Sequence, residues 1–107
     1  MDKIAEIKVV LRQLGITPDL NGYHYLVKAV DLLRHDFKCG KTARRFMDVY
    51  KSIADEFESK SSCVERCMRH AIQQAMENGS ELYDILFGNL KVVTISSFVS
   101  IVAEYVS

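Results

Sequence analysis

The sequence predicts an all-α fold, a six-helix bundle that contains a helix-turn-helix. Three observations carry that reading. Apolar residues recur mostly at intervals of three or four, the period of one helix face. Only one proline and five glycines interrupt 107 residues, and most of the periodic stretches are bounded by capping or stop residues.

Asp2 is expected to cap a first helix with Ile4, Ile7, Leu11 and Leu14 on its inner stripe, closed by Gly15. After the loop TPDLNG, a second helix runs from about Gly22 to Phe37 and buries Tyr23, Leu26, Val27, Val30 and Leu33. The segment HDFKCGKTARR is basic, lacks apolar periodicity and reads as a solvent-facing loop. A third helix is expected over about Ala43 to Phe57, burying Phe46, Val49, Tyr50, Ile53 and Phe57. ESKS forms a short polar turn, after which Ser62 and Glu65 have the spacing of a capping box for a fourth helix ending near Asn78 at Gly79. Ser80 caps a short fifth helix, ELYDILF, stopped by Gly88. NLKVVT favours strand by composition, but no partner strand is evident, so it reads as an extended connector. ISSFVSIVAEYVS closes the chain as a sixth helix with a Ser96 cap and Phe98, Ile101, Val102 and Tyr105 on one side.

Composition narrows the function classes. With 49% apolar and 26% charged residues, the chain suits one packed domain spanning residues 1–107. No apolar run approaches the roughly 20 residues that cross a bilayer, and the N-terminus mixes charges into its apolar positions, so a cytoplasmic protein with no membrane partner is expected. Three cysteines, Cys39, Cys63 and Cys67, read as reduced thiols and not as a disulfide framework. Formal charge is zero, yet residues 34–70 carry nine basic against six acidic side chains while residues 71–107 carry one against four. The middle of the chain is the positive part.

That part includes SSCVERCMRHAIQQAMENG, residues 61–79. At 100° per residue, Met68, Ala71 and Ala75 fall within about 40° of Val64 and form the core side, with Cys67 and Ile72 at its shoulders. The opposite arc collects Ser62, Arg66, Arg69 and Gln73, flanked by Glu65 on one edge and His70 and Cys63 on the other. Two arginines on the first half of a helix that follows a helix and a tight turn make the layout of a helix-turn-helix, here over about residues 43–78. The chemistry suits base reading: a guanidinium matches O6 and N7 of guanine, a carboxylate accepts from the cytosine amine, and serine or histidine reaches phosphate. A merely solvated face has the same residue types, and from those types alone that reading stays open.

The run VERCMRHAIQQA, residues 64–75, resembles the recognition helix of the C-terminal DNA-binding effector domain family of stage-zero sporulation response regulators. LGI (14–16), GYHYLVKAV (22–30), Y-x-x-I-A-x-x-F (50–57), LFG (86–88) and S-F-V-x-x-V-A (97–103) resemble that family's other blocks in the same order. The resemblance implies a winged-helix-like bundle without a wing sheet, and a recognition helix, about 62–78, that reads a short GC-containing box in double-stranded DNA. Carried over, Arg66 is the guanine reader and Glu65 faces cytosine. Ser62, Arg69 and His70 lie where helix meets groove and phosphates, with Lys60 and Gln73 at the two ends of the interface. Lys41, Arg44 and Arg45 are expected to add phosphate contacts. Cys63 departs from the family, which usually has a DNA-contacting arginine there. The resemblance also implies tandem copies on DNA meeting through the last helix, with Phe98, Val99, Val102 and Tyr105 as candidates, at least half of them expected in the monomer core.

Three other readings compete. Cys63, Cys67 and His70 share one side of the fourth helix and could suggest zinc, but their spacing matches no common zinc module and a fourth ligand would be distant. Enzyme chemistry needs a nucleophile, base and orienter, and His24 and His35 have no carboxylate the sequence places beside them; neither a substrate nor a cofactor is expected. A helical protein-interaction module with lost or altered DNA specificity is the main alternative, since Cys63 and the neutral total charge allow it.

Overall fold

The computed structural model describes residues 2–38 and 46–106. Six helices follow in order: α1 (Lys3–Gln13), α2 (Asn21–Lys38), α3 (Phe46–Glu56), α4 (Ser61–Asn78), α5 (Glu81–Phe87) and α6 (Ile95–Val106). No strand occurs among the described residues, so the all-α six-helix reading holds.

The hydrophobic stripe of α2 makes it the central element: it packs on α4 and α6 and also on α1 and α3, while α4 is held between α2 and α3. Leu26, Ala29, Val30 and Leu33 of α2 are fully buried with Val64, Met68, Ala71 and Ala75 of α4 and with Phe98, Val99 and Val102 of α6. Burying one such large aliphatic or aromatic side chain contributes about 1.5–3 kcal/mol, so this three-helix seam supplies much of what fixes the orientation of α4. Phe87 of α5 stacks on Phe98 of α6 with centroids 4.9 Å apart and planes 6° apart, tying the short helix to the core.

Local chemistry accounts for most ends. Asp2 accepts from the Ile4 amide at 3.2 Å. At the other end of α1, Gly15 is left-handed (φ +96°), which lets Ile16 N–H donate to Leu11 C=O at 3.1 Å and Gly15 N–H to Arg12 C=O at 3.0 Å. Gly79 closes α4 in the left-handed region, and Ser80 caps α5 by accepting from the Tyr83 amide.

Four expectations are corrected here. Residues 35–38 continue α2 instead of opening a loop, and Asp36 is only 3% exposed; Cys39 and the basic residues Lys41, Arg44 and Arg45 lie outside the described residues, as does the start expected for α3. Phe57 follows the last residue of α3 and is 42% exposed, with its ring edge on Tyr25 at 5.2 Å. The cap of α6 is Thr94, not Ser96: Thr94 N–H donates to Ser97 Oγ at 2.9 Å and Ser97 N–H to Thr94 Oγ1 at 3.1 Å, a reciprocal pair that residue 96, two positions later and already inside the helix, does not make. Phe98, Val99 and Val102 are wholly inside the bundle, in line with the expectation that at least half of the four candidate contact residues belong to the monomer core, and Tyr105 alone of the four is exposed, at 52%. Finally, the Ser62–Glu65 capping box does not form. α4 starts two residues earlier than a Ser62 cap would require, with Ser61 first and Lys60 at the cap position without a side-chain cap, so Ser62 already sits inside the first turn.

Candidate nucleic-acid interface

The outer face of α4 is positioned from behind. Val64, Met68, Ala71 and Ala75 are completely buried, which turns residues 62, 66, 69 and 73 to the surface. Gly22 brings α2 against the backbone of α4 at Cys67. The α1–α2 loop clips onto the far end of α4: Asn78 donates to Gly15 C=O at 2.6 Å, and Thr17 N–H donates to the Gln74 side chain at 3.3 Å. On the other side, α3 supplies Val49 and Ile53 to the core and the half-buried Phe46 and Tyr50 to the rim.

The turn between α3 and α4 is tight. Glu58 adopts φ +52°, and Ser59 N–H donates to Ala54 C=O at 2.8 Å. Lys60 offers no side-chain cap and the first turn of α4 has no acidic residue, so no acidic side chain of that turn offsets the positive dipole end of the helix.

Lys60, Ser62, Arg66, Arg69, His70 and Gln73 are all exposed, and Glu65 is partly buried. They divide into two groups by their partners. Arg69 donates from Nη2 to Oε1 of Glu65 one turn earlier, and Gln73 donates to Glu77 at 3.4 Å. Among the described residues, Arg66 has no carboxylate within ion-pair distance. Arg66 and His70 border a cleft of about 420 Å³ against Asp19 and Asn21, and Arg69 and Gln73 border a second of about 480 Å³ against Tyr50 and Val92. The face of α4 is therefore a ridge between two trenches, the shape that a groove of a duplex can accept.

Tyr50 was expected in the buried stripe, but its half-exposed phenol lies in the field of the Glu65–Arg69 pair. Burial raises its pKa above the ordinary 10.0, the Glu65 carboxylate raises it further and the Arg69 guanidinium partly offsets both. Helical spacing alone points Tyr50 toward α4; the pairing of Glu65 with Arg69 instead of with the helix terminus has no signal in the sequence beyond their i, i+4 spacing. Cys63 is exposed and Cys67 half-buried, both as free thiols. The zinc alternative gains no ligand set: among the described residues no group of three or more His, Cys, Asp or Glu side chains is arranged to hold a metal ion.

A family model described as the C terminal of sporulation initiation factor Spo0A matches residues 7–106, nearly the whole chain.

Proposed function

Because this chain belongs to the Spo0A C-terminal family, a family of DNA-binding effector domains of a sporulation regulator, we propose that it reads a specific DNA sequence with α4 lying in the major groove. The observation that carries this reading is Arg66: exposed, without a carboxylate in ion-pair distance among the described residues, and projecting from a helix whose opposite side is fully buried. A guanidinium left unpaired on a helix fixed from behind is available for bidentate contact with guanine O6 and N7. Residues 1–107 act as one binding domain, with α3 and α4 as its helix-turn-helix over about 43–78 and α4 as its recognition helix over about 62–78.

Glu65 faces cytosine, and its bond to Arg69 holds both side chains in register. Arg69, His70, Ser62 and Lys60 meet phosphates, Gln73 meets the far edge of the groove, and Lys41, Arg44 and Arg45 contribute backbone contacts. The uncapped start of α4 adds amide donors to the same anionic strand. The family is one of transcription-factor domains and not of enzymes, and the described residues include no helix long and apolar enough to cross a membrane. We place its action in the cytoplasm, on double-stranded DNA.

Titration against a duplex carrying the GC-containing box and against a scrambled duplex, each at several salt concentrations, tests the reading. Tighter binding to the box with a steep salt dependence on both duplexes is expected. Equal, salt-insensitive binding would return the chain to the class of protein-interaction modules. Tandem copies meet through α6, where Tyr105 is the exposed member of the four candidates. Tyr105→Glu should abolish cooperative filling of two adjacent boxes and leave the affinity for one box unchanged.

A further inference from the structure

Cys63 and Cys67 lie one turn apart on α4, the first exposed and the second half-buried, with the exposed Arg66 between them in sequence. Neither thiol is used by the DNA reading. We propose that the pair is a thiol–disulfide exchange site for small anionic disulfides, with Cys63 the thiol that attacks to form a mixed disulfide and Cys67 the thiol that resolves it; its effect on DNA binding rests on α4 being the recognition helix.

Exposure and charge set the order of events. Cys63 is within the first turn of α4, where no acidic residue stands and the dipole end, Lys60 and Arg66 together draw an anionic reagent. Cys67 is screened by burial, which raises its pKa first of all; its side-chain hydrogen bond with Cys63 raises it further and Arg66 offsets part of the rise. The i, i+4 spacing on α4 puts the two residues on the same side of the helix, one turn apart. In the forward step the Cys63 thiolate, its proton lost to solvent, attacks one sulfur of the reagent, forming Cys63–S–S–R and releasing RS⁻. Cys67 then loses its proton and attacks Cys63 Sγ, breaking the mixed disulfide and releasing the second RS⁻. Two cysteine thiols are oxidised by two electrons and one reagent disulfide is reduced to two thiols.

The product distorts the helix that carries it. Residues four apart on a helix hold their β-carbons about 5–6 Å apart, whereas a disulfide needs about 3.5–4.5 Å, so closure pulls this turn in by roughly 1 Å. That turn includes Arg66. The strained bond is correspondingly easy to reduce, which makes the change reversible.

The test uses the full chain carrying Cys39→Ser, with glutathione disulfide as the probe. Intact-mass measurement should show loss of two hydrogens with no glutathione retained. Adding Cys67→Ser should trap one glutathione on Cys63, and adding Cys63→Ser should leave Cys67 reacting at a small fraction of the parent rate. A lasting glutathione adduct on the chain with both thiols, or an undiminished rate in the Cys63→Ser chain, overturns the proposal. Helicity of each variant is checked by circular dichroism, and the alkylation rate of Cys67 in unfolded chain provides its own reference. Oxidation should weaken binding to the box by about tenfold or more, the loss of one bidentate contact, with full recovery on reduction. Unaltered affinity in the bridged chain counts against the proposal. Failure of the reduced chain to prefer the box counts against the DNA reading instead, because the mass measurements involve no DNA.

Discussion

Gly22 and Cys67 bring α2 and α4 into backbone contact: a β-carbon at Gly22 would stand 2.1 Å from the Cys67 carbonyl oxygen and 2.8 Å from the Ala71 β-carbon. This contact sets how far α4 stands out from the bundle. Gly22→Ala must drive the two helices apart, because the nearer obstacle is backbone and cannot rotate away. Overpacking of this kind costs about 3 kcal/mol, a large part of the roughly 5–15 kcal/mol that stabilises a small domain. Urea unfolding should show a lower midpoint with an unchanged slope. A cost below about 1 kcal/mol would mean the helices are not in contact there.

The Glu65–Arg69 pair predicts a separation of stability from binding. Both side chains are substantially exposed, so the ion pair contributes only about 0.3–0.5 kcal/mol to folding. Glu65→Ala should leave the unfolding midpoint nearly unchanged while freeing Arg69 and removing a negative charge from the face. Binding to scrambled duplex should then strengthen and the preference for the box should fall. Arg69→Ala should weaken both duplexes alike and reduce the salt slope by about 1, whereas Arg66→Ala should cost about 1–3 kcal/mol on the box and relax its preference at one base pair. A uniform loss for Arg66→Ala would assign that residue to phosphate.

The face of α4 was legible because it follows from period alone: Val64, Met68, Ala71 and Ala75 are apolar at helical spacing, and burying them determines where residues 62, 66, 69 and 73 point. Gly15, Gly79 and Ser80 were legible for a similar reason, each being a residue type with one strong local use. What escaped depends on competition between neighbours. Ser62 and Glu65 have the right spacing for a capping box, but Ser61 enters the helix first and Arg69 captures the carboxylate. Thr94 and Ser96 are equally good caps in isolation, and the partner Ser97 decides for Thr94. Gly22 reads as a helix start, while its reason is a packing distance that no local pattern encodes. At Phe98, Val99 and Val102, a pattern consistent with either core or interface was decided by the position of α2.

Stability should fall in alkali through three tyrosines. Burial is the leading cause that raises the phenol pKa of Tyr23, Tyr50 and Tyr83 above 10.0. An acid whose folded pKa is raised keeps its stabilising contribution below the unfolded pKa and loses it as pH rises through the folded one. The loss therefore begins near pH 10 and continues above it. Phenolate absorbance and helicity followed together should show ionisation delayed relative to free tyrosine and then coupled to unfolding. Tyr83→Phe should move the alkaline midpoint upward, because it removes one group that must otherwise charge inside the fold.

Glu58 predicts a stabilising substitution in the turn of the helix-turn-helix. Its φ of +52° is in the left-handed region, where a residue with a β-carbon pays about 1–2 kcal/mol. Glycine removes that strain but adds about 0.5–1 kcal/mol of unfolded-chain entropy to be lost. Glu58→Gly should therefore raise stability by roughly 0.5–1 kcal/mol, read as a higher midpoint in thermal and urea unfolding. The substitution also removes a negative charge next to the start of α4, so Glu58→Ala is the control: it removes the same charge and keeps the β-carbon. Equal stability of the two variants would assign the effect to charge and not to backbone strain, whereas a gain confined to glycine identifies the left-handed turn as the origin.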